Sequence, residues 1–320
     1  MALNRIQFQK GLSLPEFMKR YGTDAQCEAA MVAARWPEGY QCPRCAGRAY
    51  SATFNGRRLW ECKNRACRYQ CSSISGTVFQ DTKLPLSLWF MALYLMTQAK
   101  NSVSALEMKR ALGVSYPTAL LMKHKLMQVM LEREAGRKLT GRVELDESYL
   151  GGEATGKRGR GASKKVAFVT AVATNARGRP TGVRFDCLAD VSAASFTHWA
   201  HLALAPGAAV ISDAWPAIAR ALKDTDTAHP HERHVTGGGK SAAQHPAMRW
   251  VNTLQSNLKT AISGTLHAFD FARHADRYLA EFAWRFNRRT DLASLLPRLL
   301  FRSVNTPPRS AQWLKRSESR

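Results

Sequence analysis

The stretch VELDESYLGG, Val143–Gly152, sets three acidic residues in a chain that carries 47 Lys and Arg against 24 Asp and Glu, a formal charge of +23. Its apolar and acidic residues alternate, which is the period of a β-strand. By that period Glu144 and Asp146 share one face while Glu147 points to the other. A carboxylate on a strand is costly to bury unless it is paired or holds a cation. Working outward, RVELDESYL, KKVAFVTAVATN and TGVRFDCLAD read as three antiparallel strands, the last two joined through the hairpin-like turn ARGRP. SAASFTHWAHLAL reads as a helix, AAVISDAW as a strand closing on Asp213, and MRWVNTLQSNLKTAISGTL and ADRYLAEFAWRFNRR as further helices. The pattern predicts an α/β domain over residues 139–300, a sheet covered by helices.

Upstream the character changes twice. Residues 12–36 read as helical, with Ser13 and Pro15 at the start of SLPEFMKRY and apolar positions three and four apart in DAQCEAAMVAARW. In residues 37–80 helix signals are few and cysteines sit at the turns. Cys42 and Cys45 form C-x2-C, and Cys62 and Cys67 form C-x4-C after a 16-residue gap. Four thiolates so spaced suit a tetrahedral Zn²⁺ on two knuckles of a β ribbon, with Cys71 a further candidate for the ligand set. Such a site has no open position, so its zinc is structural and supplies folding free energy to a ribbon too small to fold on apolar burial. Cys27 and Cys187 read as buried neutral thiols.

Residues 81–138 contain LPLSLWFMALYLMTQ, SVSALEMKRAL, a turn at Gly113 and SYPTALLMKHKLMQVMLERE. Helix, helix, glycine turn, helix is the pattern of a helix-turn-helix, which presents the start of its last helix to DNA bases. Tyr116, Thr118 and Lys123 are the expected contacts there. The basic segment GKRGRGASKK offers Lys157, Arg158 and Arg160 to backbone phosphates. The charge excess implies a polyanionic partner, double-stranded DNA before a membrane surface. The longest apolar run, LWFMALYLM at Leu88–Met96, is far short of the roughly 20 residues a membrane span needs. The start MALNRIQFQK lacks the apolar core of a signal peptide, so a cytoplasmic protein with reduced cysteines is expected. Residues 301–320 read as a basic C-terminal tail, Pro- and Arg-rich and expected to be loosely ordered from Thr306.

Asp146 and Asp213 lie on strands that a small sheet can bring side by side. Close like charges raise each other's proton affinity, and a divalent cation such as Mg²⁺ resolves the conflict. In order, CPRC…C…C, GTVFQDTKLPLSLWFMALYLM, ELDESYLGG, VISDAW, VNTLQSNLK, GTLHAF and YLAEFAWRFNRR cover nearly the whole chain. This arrangement resembles the ribonuclease H-like transposases, and more closely the insertion-sequence 1595 family of bacterial transposases. The resemblance implies a ribonuclease H-like mixed sheet and catalytic carboxylates at Asp146 and Asp213. It places the third acidic position on Asn252, followed seven residues later by the family's basic residue at Lys259. It also matches His267 to a family position. Asn offers only a neutral carbonyl oxygen to Mg²⁺ or Mn²⁺, and Glu147 or, by strand geometry, Glu144 stands nearest to compensate. The implied activity is a transposase that binds terminal inverted repeats, cuts the strand with metal-activated water and joins the 3′-hydroxyl to target DNA, working as a dimer or larger assembly. Two rivals are a non-catalytic DNA-binding regulator, which Asn252 would favour, and a nuclease that cleaves without joining.

Overall fold

The computed structural model describes residues 6–54, 58–151, 165–225, 228–237, 244–266 and 269–316. They fall into two compact units, one formed by the chain up to residue 129 together with residues from 290 onward, the other by residues 130–289.

The first unit begins with helices Leu14–Tyr21 (α1) and Asp24–Arg35 (α2). Ser13 caps the first by accepting the Glu16 N–H, and Thr23 with Gln26 forms a capping box on the second. A three-stranded antiparallel ribbon follows, Tyr50–Phe54 (β1), Arg58–Cys62 (β2) and Gln70–Cys71 (β3), in the order β1-β2-β3. Its core is small. Trp36 stands edge-on to Tyr40 and Trp60, with ring centroids 4.9 and 5.2 Å away, and cysteines fill the rest.

Three helices come next, Leu86–Gln98 (α3), Ala105–Leu112 (α4) and Tyr116–Ala135 (α5). Ser104 caps α4, and Ser115 accepts the Thr118 N–H at the start of α5. Between them Gly113 sits at φ 66°, a left-handed conformation that closes α4 and suits glycine. Tyr116 is exposed at the head of α5, and Thr118 is half-buried with its hydroxyl 2.8 Å from that of Ser115. Lys123 corrects the sequence reading. Its side chain is fully buried and its ammonium donates to the Val103 carbonyl at 2.6 Å, so it braces the entry to α4 and does not reach a phosphate. Lys125 is likewise buried, donating to the Val78 carbonyl.

The C-terminal segment also departs from expectation. Helices Leu295–Val304 (α10) and Ala311–Arg316 (α11) belong to the first unit. Leu295, Leu296, Leu299, Leu300, Val304 and Leu314 are buried, and the Val78 N–H donates to the Ser303 carbonyl. In the stretch from Thr306, which its Arg and Pro content marked as loose, the short helix Ala311–Arg316 forms with Leu314 buried. Apolar burial also draws residues 290–300 away from the α/β unit to which the strand pattern assigned them.

In the second unit, Arg142–Leu150 (β4), Val166–Thr174 (β5) and Pro180–Cys187 (β6) form an antiparallel meander, as the alternation predicts. Ala209–Asp213 (β7) joins β4 in parallel, and His231–His234 (β8) joins β7 in parallel, giving the order β6-β5-β4-β7-β8. Helices Ala193–Ala203 (α6) and Pro216–Lys223 (α7) bury one face around Leu145, Val169, Ala171 and Val210. Arg249–Ala261 (α8) and Phe271–Phe286 (α9) bury the other around Phe168, Val172, Val183 and Ile211. The structure is therefore a mixed α/β sheet with helices on both faces. Among the described residues no helix is long and apolar enough to cross a membrane.

Candidate active site and metal centre

The centre of the sheet decides which carboxylates meet. In the β4/β7 pair Leu145 stands opposite Ser212, so one step further Asp146 stands beside Asp213 at the end of β7. There β7 ends while β4 runs on, so Glu147 closes on the same point despite the strand alternation. One carboxylate oxygen each from Asp146, Glu147 and Asp213 lies within 4.8 Å of the others. Burial pushes Asp146 up from its ordinary 3.8 to about 7, and the Glu147 and Asp213 charges push the same way. The Gln255 side-chain amide, donating to Asp146 Oδ2 at 3.2 Å, opposes the shift. Asp213 is held by the Trp215 N–H, which donates to its Oδ1 at 3.0 Å.

This donor set fits a divalent cation. Three carboxylates this close repel one another until a cation neutralises them. The Thr170 hydroxyl, paired in register with Asp146 and fully buried, has no hydrogen-bond partner among the described residues. A buried hydroxyl in that state is a natural place for a water belonging to the site.

Glu144 does something else. It is 2% exposed; its Oε1 accepts from Arg142, and its Oε2 accepts the Trp250 and Val251 N–H groups at 2.7 and 3.1 Å. It is the N-terminal cap of α8, whose own cap position is the non-capping Met248. Along α8, Arg249, Asn252, Gln255 and Lys259 line one open groove, and among the described residues that line it none is acidic.

The second centre lies in the ribbon. The sulfurs of Cys42, Cys45, Cys62 and Cys67 lie within 4.8 Å of one another. Cys42–Cys67 and Cys45–Cys62 are 3.8 and 3.5 Å apart, close to the edge of about 3.8 Å of a tetrahedron with Zn–S bonds of about 2.3 Å. Ala46 and Arg68 take positive φ, 59° and 49°, to turn the two knuckles. Although burial raises the Cys42 thiol, backbone N–H groups of Arg44 and Cys45 hold it down to about 6, toward the thiolate a metal needs. Cys71 stands apart, its sulfur 3.9 Å from the Tyr40 hydroxyl.

Comparison with known proteins gives the same division. Residues 138–287 match the model of the ISXO2-like transposase domain, and residues 22–70 match the transposase zinc-ribbon domain. The chain carries the zinc-ribbon and transposase domains of the insertion-sequence 1595 family. It is also 28% identical over 138 residues to an uncharacterized protein in transposable element ISH50 of Halobacterium salinarum. That match covers 42% of this chain and 44% of the relative.

Within these two matched domains and the segments beside them the residues expected from sequence are distributed as follows. Asp146 and Asp213 come together, and the four expected cysteines cluster without Cys71. Asn252 and Lys259 share the α8 groove, while Gln255 is the α8 residue bonded to Asp146. Gln255 carried one overlooked signal, its place three residues after Asn252 and four before Lys259 on one helix face. Glu144 is engaged in capping and is not one of the three carboxylates that cluster among the described residues. Lys157, Arg158, Arg160 and His267 lie outside the described residues.

Proposed function

We propose that this transposase acts on DNA through the Asp146–Glu147–Asp213 cluster, with Glu147 supplying the third carboxylate that Asn252 does not. The carrying observation is the convergence of the three carboxylates within 4.8 Å, joined through Gln255 to a polar groove along α8. When bound, Mg²⁺ or Mn²⁺ would supply the positive charge that activates a water or a 3′-hydroxyl and stabilises the leaving oxygen. Asp146, Glu147 and Asp213 would hold it, and Asp146 would give up its proton as it does so. Gln255 orients Asp146 by its amide, and Lys259 with Arg249 offers cations to phosphates of the strand lying along α8. Positioning and charge then account for phosphodiester cleavage and direct strand transfer, without a nucleotide cofactor.

The strand order, three antiparallel strands followed by two parallel ones, supports the ribonuclease H-like reading of the catalytic unit. The geometry of α4, Gly113 and α5 supports a helix-turn-helix, with Tyr116 and Thr118 at its DNA-facing end, and the four-sulfur cluster supports structural Zn²⁺. Synapsis of two element ends calls for a homodimer or larger assembly. The test is purified protein on labelled terminal-repeat DNA with Mn²⁺. Nicking at the element end plus joined product is expected, lost in Asp146→Ala and in Glu147→Ala. Tight binding with no cleavage would instead favour the regulator that the neutral Asn252 suggests. Nicking without joined product would favour a nuclease.

A further inference from the structure

Strand β4 and helix α8 run side by side, and three ties join the strand to the helix and to the turn Pro246–Met248 that leads into it. Arg142 donates to the Ala247 carbonyl at 3.3 Å, Glu144 accepts from the Trp250 and Val251 N–H groups, and Asp146 accepts from Gln255. The spacings agree. Two residues of strand advance ~6.7 Å, and the four to five residues from the capped N–H groups to Gln255 advance ~6.8 Å of helix. The middle tie is the strongest, since a carboxylate accepting two N–H groups at a helix N-terminus is both hydrogen-bonded and favoured by the helix dipole. It also sits two residues from Asp146 on the same strand face.

We propose that Glu144 is a positioning residue for DNA cleavage: as the cap of α8 it sets the axial register of that helix, and so the placement of Gln255 against Asp146. Its carboxylate serves two donors at once, Arg142 through Oε1 and the helix through Oε2. A glutamine amide offers one accepting oxygen and must turn its NH₂ toward the other donor, so Glu144→Gln preserves size and breaks one tie. Arg142→Met removes both Arg142 contacts, to Glu144 and to the Ala247 carbonyl, and leaves the carboxylate on the helix.

The inference rests on the reading that the Asp146 site cleaves DNA, and the experiment separates the two. Hydrogen exchange of the peptide spanning residues 249–262 is measured in full-length protein, with cleavage of terminal-repeat DNA in Mn²⁺ beside it. In Glu144→Gln, exchange in that peptide accelerates while exchange in β5 and β6 is unchanged. Cleavage falls by about tenfold to a hundredfold, the scale of an ångström-level misplacement. DNA affinity stays within twofold. Arg142→Met gives the same pattern in weaker form. Glu144→Gln adds less than threefold when Gln255 is already Ala, because both changes act through one contact. Independent multiplication of the two losses, unchanged exchange over 249–262, or cleavage within twofold of the parent overturns the proposal. Should Glu144→Gln not fold, Arg142→Met carries the test by the same measures. An inactive parent whose 249–262 exchange still responds to Glu144→Gln would fail the cleavage reading and leave the clamp standing.

Discussion

At the scale of the residue, Asp146 carries the clearest consequence. Its folded-state value, raised to about 7 by burial and by its two acidic neighbours, means that the native state holds a proton the unfolded chain has already released. The contribution to stability is complete below the ordinary value of 3.8 and is lost as pH rises through 7. Without divalent cation, then, the protein should lose stability between pH 4 and pH 7. Asp146→Asn removes the buried charge and keeps the shape. At pH 7.5 without metal it should be more stable than the parent by about 1–2 kcal/mol, the scale of a single stabilising substitution. The gap should close at pH 4, and denaturant unfolding of both proteins at the two pH values checks it. The same substitution should abolish stabilisation by Mn²⁺, which in the parent grows as pH rises. A parent whose stability is flat over that range, or an Asn variant still stabilised by Mn²⁺, would contradict the assignment. Lys123 teaches the converse at this scale. A lysine in a basic chain invites a phosphate contact, yet this one donates to the Val103 carbonyl with no exposed surface. Lys123→Ala should cost about 1–3 kcal/mol through the acceptor it leaves unsatisfied. The salt dependence of DNA binding should not change. Tyr116→Ala should do the reverse, weakening binding at constant melting temperature.

At the scale of the element, the ribbon and α8 show two ways of holding a small piece of structure in place. The ribbon has three short strands and an aromatic cluster around Trp36 and Trp60, too little apolar area to fold alone. Its stability is expected to be metal-linked. Purified protein should contain one zinc per chain, and a strong chelator should melt the ribbon, seen as a change in Trp fluorescence. Cys45→Ser should lose the metal, whereas Cys71→Ser should retain it, since the Cys71 sulfur neighbours Tyr40 and not the cluster. Retention in the first or loss in the second would redraw the ligand set. Helix α8 lacks a cap of its own and takes one from a strand residue 106 positions earlier. No local pattern announces such a partner. Periodicity located α8 correctly, and spacing identified the zinc knuckles, because both are properties of neighbouring residues. Two elements of the same unit escaped the reading. His231–His234 is four polar residues without apolar alternation, and Pro216–Lys223 is a short helix hidden behind the Asp213 strand.

At the scale of the whole molecule, chain order and packing order part company. Residues 290–316 follow the α/β unit in sequence and fold into the other one, where Leu295, Leu296, Leu299, Leu300 and Val304 are buried. A chain ending at residue 289 should therefore lose protection in α2 and α3 and keep it in β4 to β6. Hydrogen exchange compared with the full-length protein checks this, and a truncation that spares α2 and α3 would refute it. The sequence by itself determined most of the local elements, the cysteine knuckles and the family, because alternation, helical period, turn residues and motif spacing are all written within a few residues of one another. It also placed Asp146 and Asp213 on strands. Only the tertiary structure decided the company those residues keep. The parallel register of β4 on β7 brings Asp213 to Asp146, and the early end of β7 lets Glu147 join them. The packing of α8 on the sheet gives Gln255 to Asp146 and commits Glu144 to a helix terminus. Each of these contacts joins residues far apart in the chain, and their energy depends on distance and burial, which no local pattern encodes.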